Sequence, residues 1–239
     1  MELFFAHPEE IQQNVLSEEE SRHAVKVLRK QVGDEVYITD GKGNVFVARI
    51  IEIRKKHCKL QVFERKQFPE SKHKIIIAIA PPKNSNRWDF FLEKSVELGV
   101  STIIPIKTQR SERKNINIER AEKVLISAVK QSHNYFKPKI YSLISMKEIP
   151  EYLPQNFQSV VGYCGDEFSK TKLSEISIQS RNIVCFVGPE GDFTPDEVQF
   201  LIRQIQSVPV TISKNRLRTE TAGITFAAQM NLLISLHEK

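Results

Sequence analysis

Near its end the chain reads Ser213-Lys214-Asn215-Arg216-Leu217-Arg218-Thr219-Glu220-Thr221-Ala222-Gly223. This basic, polar loop follows an apolar strand and leads directly into the last helix. The first backbone N–H groups of a helix have no partner within it, so they can bind an anion, a polar ligand or a nucleic acid base. Farther upstream, Gly188-Pro189-Glu190-Gly191 makes a similar passage from a strand to a helix. We expect the two loops to form one binding site from two sides.

The charge of the chain is unevenly distributed. The formal net charge is +6, and residues 1–70 carry twelve basic and twelve acidic side chains, so the whole excess lies in residues 71–239. A basic balance favours a polyanionic partner, most often a nucleic acid. On charge alone, a solvated basic surface without such a partner is about equally compatible with the sequence.

The cysteines and apolar segments indicate the compartment. The N-terminus lacks the basic region of a signal peptide, and the longest apolar run, 75–82, is too short to span a bilayer. Cys58, Cys164 and Cys185 are scattered without metal-ligand spacing, so we predict no metal site and no disulfide framework. A reducing cytoplasm is the predicted location. Cys164 and Cys185 stand in apolar segments and are predicted to be core residues.

Residues 1–70 have the pattern of a small β domain. Ser17 and Glu20 have the spacing of a capping box, which predicts a short helix continuing through Leu28. Runs of alternating apolar residues predict strands at 36–39, 45–53 and 59–63, with a turn at 40–44. These elements predict a small barrel. The polar, proline-containing segment 67–72 is the predicted linker.

From Lys74 onward, predicted strands alternate with predicted helices. The apolar run 75–80 is typical of a strand buried on both faces. Further strands are predicted at 102–106, 160–163, 183–187 and 208–212. Helices are predicted at 87–98, 117–135, 195–206 and 221–236. This order predicts an α/β domain with a mostly parallel sheet covered by helices.

The loop after the Gly-Pro-Glu-Gly segment contains strong helix-start signals. Thr194 is a predicted N-cap, Pro195 suits the first helical position, and Glu197 completes a capping box. Phe193 and Val198 have the spacing of a hydrophobic staple. The segment matches neither a Walker loop nor a dinucleotide fingerprint. Taken alone, it is more often an ordinary turn than a ligand site.

Charged residues near the other helix starts allow two interpretations. Arg218 and Glu220 flank the start of the last helix and would form either a ligand site or an ordinary surface ion pair with a cap. Lys94 and Glu97 share a helical face, which is usually a solvated face. Gly223 in the first helical turn costs stability relative to alanine, so we expect close packing there against a ligand or another chain.

The motifs taken together are more specific than any one of them. Glu-Lys-Ser-Val-Glu-Leu-Gly-Val at 93–100, Val-Gly-Pro-Glu-Gly at 187–191 and Arg-Leu-Arg-Thr-Glu-Thr-Ala at 216–222 resemble the bacterial ribosomal small subunit methyltransferase E family, of the SPOUT class. The segments 27–29, 33–34 and 40–43 resemble the PUA-like domain of that family, and Gln131-Ser132 with Pro138 match its middle region. The resemblance extends over essentially the whole chain.

The resemblance implies both a fold and an activity. The implied fold is α/β: an N-terminal PUA-like β-barrel, residues 1–70, followed by a SPOUT α/β domain, residues 71–239, with a C-terminal trefoil knot. The implied activity is transfer of a methyl group from S-adenosyl-L-methionine to N3 of a specific uridine in the 16S rRNA of the small ribosomal subunit. The family is homodimeric through its knotted domain.

The resemblance also assigns roles to residues of this chain. Arg218 would stabilise negative charge on the uracil oxygens, and Glu220 would orient Arg218 or accept a proton through water. The predicted cofactor-binding residues are Gly188, Pro189, Glu190, Gly191, Ile212, Ser213, Leu217, Thr221 and Ala222. The predicted RNA-binding residues are Arg22, Arg29, Lys30, Lys83, Arg110, Arg113, Lys114 and Arg216.

The chain departs from the family pattern at several positions. Asp192 stands where a second glycine is usual, and Ser213 stands where a glycine usually precedes the basic loop. Lys130 stands where an acidic residue is frequent, and near the N-terminus, where an arginine is common in the family, this chain has Glu2. Two alternatives stay open at this point: a SPOUT methyltransferase acting on another RNA, and a ribosome assembly factor that binds RNA without catalysis.

Overall fold

The computed structural model describes residues 2–237, so the outermost ends of the two predicted domains, Met1 and Lys239, lie outside the described residues. The chain forms two compact units. The first runs up to Glu70 and also includes Ile126–Lys137, whereas the second consists of Ser71–Leu125 and the chain from Pro138 onward. No helix in the described part of the chain is long and apolar enough to cross a membrane.

The elements are numbered in chain order. The strands are β1 (Leu3–Phe5), β2 (Glu35–Thr39), β3 (Asn44–Ile53), β4 (Cys58–Gln67), β5 (Lys74–Ile79), β6 (Thr102–Lys107), β7 (Lys139–Ile140), β8 (Ile144–Ser145), β9 (Gln158–Gly162), β10 (Thr171–Lys172), β11 (Asn182–Val187) and β12 (Val208–Thr211). The α-helices are α1 (Pro8–Gln13), α2 (Glu18–Arg22), α3 (Ser85–Glu97), α4 (Ile118–Ser132), α5 (Ile149–Tyr152), α6 (Pro195–Ile205) and α7 (Thr219–His237).

The first unit is built on a sheet with the strand order β1-β2-β3-β4. Strand β1 is parallel to β2, and the other two pairings are antiparallel. The segment Ile126–Lys137 joins this unit through backbone hydrogen bonds to the predicted turn, because Gly43 N–H donates to the Tyr135 carbonyl at 2.9 Å and Lys137 N–H donates to the Gly41 carbonyl at 2.8 Å. These contacts are distant in sequence, and the pattern of the segment alone does not reveal them.

Helix α2 begins as predicted and continues into a π-helical segment. Ser17 Oγ accepts a hydrogen bond from Glu20 N–H at 3.1 Å, which is one half of the capping box. The Glu20 carboxylate is buried and instead accepts from Lys130 Nζ at 2.6 Å. After Arg22 the chain continues as a π-helix, His23–Val27, with Leu28 as its C-cap, so the predicted helix through Leu28 is confirmed in extent and changes its hydrogen-bond pattern in the second half. Lys130 therefore stabilises the first unit.

The second unit contains a parallel sheet, as the alternating pattern predicts. The strand order is β10-β12-β9-β11-β5-β6-β7, with β8 pairing separately with β6. Alternate residues of β5, such as Ile76 and Ala78, pack in one core cluster with Val198 and Leu201 of α6. Helices α3 and α7 pack together, and α7 also contacts β5 and β11. The continuous apolar runs of β5 and β11 are buried because helices cover both faces.

Local chemistry fixes the helix boundaries of the second unit. The Asn84 side chain caps α3 by accepting from Asn86 N–H at 2.8 Å, and Gly99 lies just beyond the helix with φ +67°. The α6 capping box is confirmed, because Thr194 N–H donates to Glu197 at 2.9 Å and Glu197 N–H donates to Thr194 at 3.3 Å.

Gly223 packs closely within its own chain. A Cβ atom at this position would lie 2.5 Å from Cε2 of Phe91 and 3.1 Å from Cδ1 of Ile79. Both neighbours are fully buried. The expectation of close packing at Gly223 is therefore confirmed, but the neighbours are side chains of α3 and β5 rather than a ligand or another chain.

Gly223→Ala should destabilise the protein. In an open helical position, alanine would add about 1 kcal/mol of stability relative to glycine. Here the added methyl group meets the Phe91 ring, and overpacking a core typically costs about 1–3 kcal/mol, so we expect a net loss. Urea unfolding monitored by circular dichroism measures the change. Ala228→Gly, at an exposed position of the same helix, measures the effect of the difference in helix propensity alone. A Gly223→Ala protein more stable than the wild type would contradict the packing argument.

Candidate functional site

A cavity of about 470 Å³ opens where strands β9, β11 and β12 end. These strands are neighbours in the parallel sheet, so their carboxyl ends and the loops that follow lie at one edge. Ligands of open α/β sheets commonly bind at this edge. The walls come from the ends of the three strands, the loops after them, and the first two turns of α7.

The loop after β11 forms one wall through its backbone. Gly188 is buried, and a Cβ atom there would lie 3.0 Å from the backbone nitrogen of Phe193 and 3.2 Å from Asp192 Oδ1. The position therefore has little room for a side chain. Thr219 Oγ1, at the start of α7, donates a hydrogen bond to the Gly188 carbonyl at 3.1 Å, and this contact is buried. Arg216 Nη2 donates to the Glu190 carbonyl at 3.1 Å.

The structure brings most of the predicted cofactor-binding residues together. Those that line the cavity are Gly188, Pro189, Glu190, Ile212, Ser213, Leu217 and Ala222. Gly191 and Thr221 do not line it. A Cβ atom at Gly191 would meet Arg110 Cβ at 3.3 Å, and Thr221 is exposed on α7. The two loops quoted first are thus two walls of one cavity.

Asp192 also lines the cavity, although sequence reasoning did not include it among the site residues. Its φ is +63°, a left-handed conformation that glycine adopts freely and aspartate tolerates better than most residues. Its Oδ2 accepts a hydrogen bond from Cys164 N–H at 2.9 Å, and its Oδ1 accepts from Phe193 N–H at 2.8 Å. The carboxylate thus joins the loops after β9 and β11. The departure from the usual glycine was the available signal for this position.

The loop after β9 contributes residues that the sequence did not identify. Gly162, Tyr163, Cys164 and Lys170 line the cavity. The prediction that Cys164 is a core residue is wrong, because it lies beyond the end of β9 and is exposed, whereas Cys185 is fully buried. The apolar residues just before Cys164 indicated that it belongs to the buried strand, whereas β9 ends at Gly162.

The pKa of Tyr163, on this side of the cavity, is shifted by its surroundings. Its hydroxyl donates a hydrogen bond to Glu167 Oε2 at 2.7 Å. Burial raises the pKa of Tyr163 to about 12, and the carboxylates of Glu167 and Asp192 contribute to the shift. Although Cys164 is exposed overall, its thiol is partly desolvated, and this desolvation together with the Asp192 carboxylate raises the pKa of Cys164. The Cys164 thiol is therefore less acidic than an ordinary one.

The two predicted catalytic residues lie at the start of α7 but point to different surroundings. Arg218 is exposed, and its carbonyl accepts a hydrogen bond from Ala222 N–H at 2.8 Å. Glu220 is buried, and its Oε1 lies 3.6 Å from Arg87 Nε. Its Oε2 has no hydrogen-bond partner among the described residues. Glu220 thus pairs with Arg87 rather than orienting Arg218, and neither predicted catalytic residue lines the cavity.

The predicted RNA-binding residues of the second unit are near the same loops. Lys83 N–H donates to Glu190 Oε1 at 3.1 Å, and its Nζ pairs with Glu112 at 2.6 Å. Arg110 Nη1 donates to the Gly191 carbonyl at 2.8 Å, and Arg113 Nη2 donates to the Lys83 carbonyl at 3.1 Å. Lys114 and Arg216 are exposed. These contacts connect the loops after β5, β6 and β11.

The first unit carries the other predicted RNA-binding residues. Arg22 is exposed on α2, and Arg29 is exposed with φ +55°. Lys30 Nζ lies 3.5 Å from Glu2 Oε2, so the unusual acid near the N-terminus partly compensates this charge.

Comparison with protein families gives two matches. Residues 69–231 match an RNA methyltransferase domain, and residues 16–63 match an RNA methyltransferase PUA domain. The chain is 32% identical over 214 residues to the ribosomal RNA small subunit methyltransferase E of Rickettsia conorii, which covers 88% of this chain and 86% of the relative.

Solved structures show the same fold over the whole chain. A probable rRNA methyltransferase of Porphyromonas gingivalis aligns with a TM-score of 0.91 and 33% identity, covering 99% of this chain and 100% of the other. A ribosomal RNA small subunit methyltransferase E of Neisseria gonorrhoeae, bound to S-adenosyl methionine, aligns with a TM-score of 0.83 and 29% identity, covering 98% of each chain.

Tyr163 should titrate at unusually high pH. Tyrosinate absorbance is read just after a rapid jump to each pH, in the wild type and in Tyr163→Phe. The difference between the two proteins, plotted against pH, should have its midpoint near pH 12. Because the pKa of Tyr163 is higher in the folded than in the unfolded protein, its contribution to the free energy of unfolding is fully present below about pH 10, the ordinary tyrosine pKa. This contribution is lost as the pH rises from there through the pKa of the folded protein. A midpoint close to the ordinary value would contradict the buried, negatively charged surroundings.

Proposed function

Because the chain belongs to the ribosomal RNA small subunit methyltransferase E family, we propose that it methylates N3 of a specific uridine in 16S rRNA, using S-adenosyl-L-methionine. The observation that carries the proposal is the cavity itself. The two loops that resemble the family's cofactor loops form its walls, joined by the buried hydrogen bond from Thr219 to Gly188.

The residues of the cavity fit this methyl donor. Gly188 lines the cavity through its backbone, and Leu217 and Phe226 supply apolar surface for the adenosine. Lys170 supplies a positive charge for the carboxylate of the amino-acid part. When bound, the donor supplies a methyl group on a positively charged sulfur.

Arg218 is proposed to stabilise the reacting uracil. N3 of uracil must lose its proton as it forms a bond to the methyl carbon, so negative charge develops on the neighbouring carbonyl oxygens. A guanidinium held close to those oxygens lowers the energy of that state. Arg218 is exposed at the start of α7, next to the loop that walls the cavity, and is therefore accessible to an RNA base.

Glu220 is proposed to receive the N3 proton through water. Its carboxylate is buried, Oε1 faces Arg87, and Oε2 has no partner among residues 2–237. An oxygen left without a donor in the protein is available to accept a hydrogen bond from a water molecule. The ion pair with Arg87 would keep the carboxylate in place.

The RNA is proposed to contact basic residues in both units. In the second unit these are Lys83, Arg110, Arg113, Lys114 and Arg216, which surround the loops described above. Arg22, Arg29 and Lys30 are the proposed contacts in the first unit. Such contacts bind phosphates and position the RNA, whereas the base itself is selected in the site.

Finer features of the fold remain proposals. We propose that the strands of the first unit belong to a closed PUA-like barrel, with the PUA-like domain spanning 1–70 and the methyltransferase domain spanning 71–239. We also propose a C-terminal trefoil knot, which the family resemblance implies, in the segment where Thr219 packs against Gly188 and α7 packs on β5 and β11.

The proposed assembly is a cytoplasmic homodimer formed through the knotted domain. Helix α7 has apolar residues that a second copy would cover, since Leu232 is 59% exposed and Leu236 is 54% exposed. Ribosomal RNA as the substrate and three free cysteines suit the cytoplasm.

Product analysis tests the proposed reaction directly. The protein should transfer labelled methyl groups from S-adenosylmethionine to small ribosomal subunits that lack the modification, and mass spectrometry should identify N3-methyluridine. Methylation of tRNA or of another position would support the first alternative, a different RNA target. A protein that binds small subunits but neither transfers methyl groups nor binds S-adenosylmethionine would instead be a noncatalytic assembly factor.

Arg218→Ala should lower the rate of methyl transfer by about a hundredfold or more, the scale of losing one charge-stabilising group. The affinity for S-adenosylmethionine should change little, because Arg218 does not line the cavity. Single-turnover methylation and calorimetric titration measure the two effects separately. Full activity of the variant would remove Arg218 from the mechanism.

A further inference from the structure

We propose that Asp192 lets the cavity distinguish the methyl donor from the product of the reaction. Its carboxylate favours S-adenosylmethionine, whose sulfur is positively charged, over S-adenosylhomocysteine, whose sulfur is neutral. The inference rests on the proposed function, since it concerns the donor of that reaction. It assigns a role to a residue at which this chain departs from the glycine usual in the family.

The position of Asp192 is suited to this role. The residue lines the cavity and is only partly exposed, so solvent screens its charge less than that of a surface carboxylate. Its two oxygens each accept one backbone N–H, from Cys164 and from Phe193, which fixes the carboxylate in place. A carboxylate oxygen accepts more than one hydrogen bond, so the group keeps acceptor capacity toward the cavity.

The cations beside the cavity are partly occupied by other groups. Lys170 Nζ donates to the Gly165 carbonyl at 2.6 Å and lies 3.4 Å from Asp166 Oδ1. Arg216 Nη2 donates to the Glu190 carbonyl. The carboxylate of Asp192 accepts hydrogen bonds from two neutral backbone donors, and no basic side chain within residues 2–237 forms an ion pair with it. Its charge is therefore available to a cationic ligand.

Donor and product differ in the charge that Asp192 would sense. The sulfur of the donor is a sulfonium, whereas that of the product is a neutral thioether, and the adenosine, ammonium and carboxylate groups are common to both. A carboxylate beside the sulfur attracts the sulfonium more strongly than the thioether, whereas a carboxylate beside the ammonium would not distinguish the two ligands. The proposed selectivity therefore requires the Asp192 carboxylate to lie beside the sulfur, where it favours release of the product after transfer. We expect Asp192 to contribute about tenfold to the ratio of the two affinities, the scale of one charge-assisted contact.

A purely structural role for Asp192 makes a different prediction. Its carboxylate joins the loops after β9 and β11, so its loss could loosen the cavity for any ligand. In that case the affinities for donor and product would fall together and their ratio would stay constant. The ratio therefore separates an electrostatic contact from a positioning role.

The experiment is a calorimetric measurement of the dissociation constants for three ligands. They are S-adenosylmethionine, S-adenosylhomocysteine and sinefungin, which has a protonatable amine in place of the sulfonium. The variants are Asp192→Asn, which keeps the shape and tolerates the left-handed backbone, and Asp192→Gly, which restores the usual family residue. Asp196→Asn removes the same charge at an exposed position of α6 outside the cavity and is the matched control.

We expect both Asp192 variants to weaken binding of the two cationic ligands about tenfold more than binding of S-adenosylhomocysteine. Asp196→Asn should leave all three constants unchanged. An equal loss for all three ligands, or no loss, would overturn the inference while leaving the proposed function intact. If the wild-type protein bound none of the three, the proposed function itself would fail, and the inference with it.

Discussion

The buried hydrogen bond from Thr219 Oγ1 to the Gly188 carbonyl joins the parts of the molecule on which the candidate site depends. Gly188 directly follows β11, a strand in the centre of the parallel sheet, and Thr219 begins the last helix. Both groups lack access to water, so an unpaired hydroxyl or carbonyl there would carry a desolvation cost of about 1–3 kcal/mol. The contact keeps the start of α7 against the loop after β11, and the cavity lies between the segments that it joins.

Close packing of small residues accompanies this hydrogen bond. A Cβ atom at Gly162 would lie 3.0 Å from the Phe226 ring, just as one at Gly223 would meet the Phe91 ring. Two aromatic side chains of the helical layer thus occupy space that glycines leave open. Because interiors of proteins are packed as densely as crystals, these sites limit how far α7 can shift along the sheet. The walls of the cavity are consequently set by the core rather than by the loops alone.

Much of the fold could be predicted from the sequence because local signals were strong. The apolar run of β5, the capping box of Thr194 and Glu197, and the glycine after α3 each depend on neighbouring residues. Features that depend on distant contacts could not be predicted in this way. The three-residue strand β1 is too short to show a period, and the Glu20 partner, Lys130, is distant in sequence.

The same distinction applies to the candidate site. The loops containing Gly188 and Leu217 could be identified by motif, because the residues that form each wall are contiguous. Tyr163 and Lys170 carry no motif, and their place in the cavity results from the strand order, which brings β9 between β11 and β12. The role of Arg87 could not be predicted, because its pairing with Glu220 requires α3 and α7 to be packed together.

The left-handed backbone of Asp192 has an evolutionary consequence. Glycine and aspartate both tolerate a φ of +63°, so either residue can occupy this position without a new course of the main chain. Their codons differ by a single base, and one point mutation therefore adds or removes a negative charge inside the cavity. With the role proposed for Asp192, such a mutation would change the ratio of donor to product affinity while the course of the main chain stays the same.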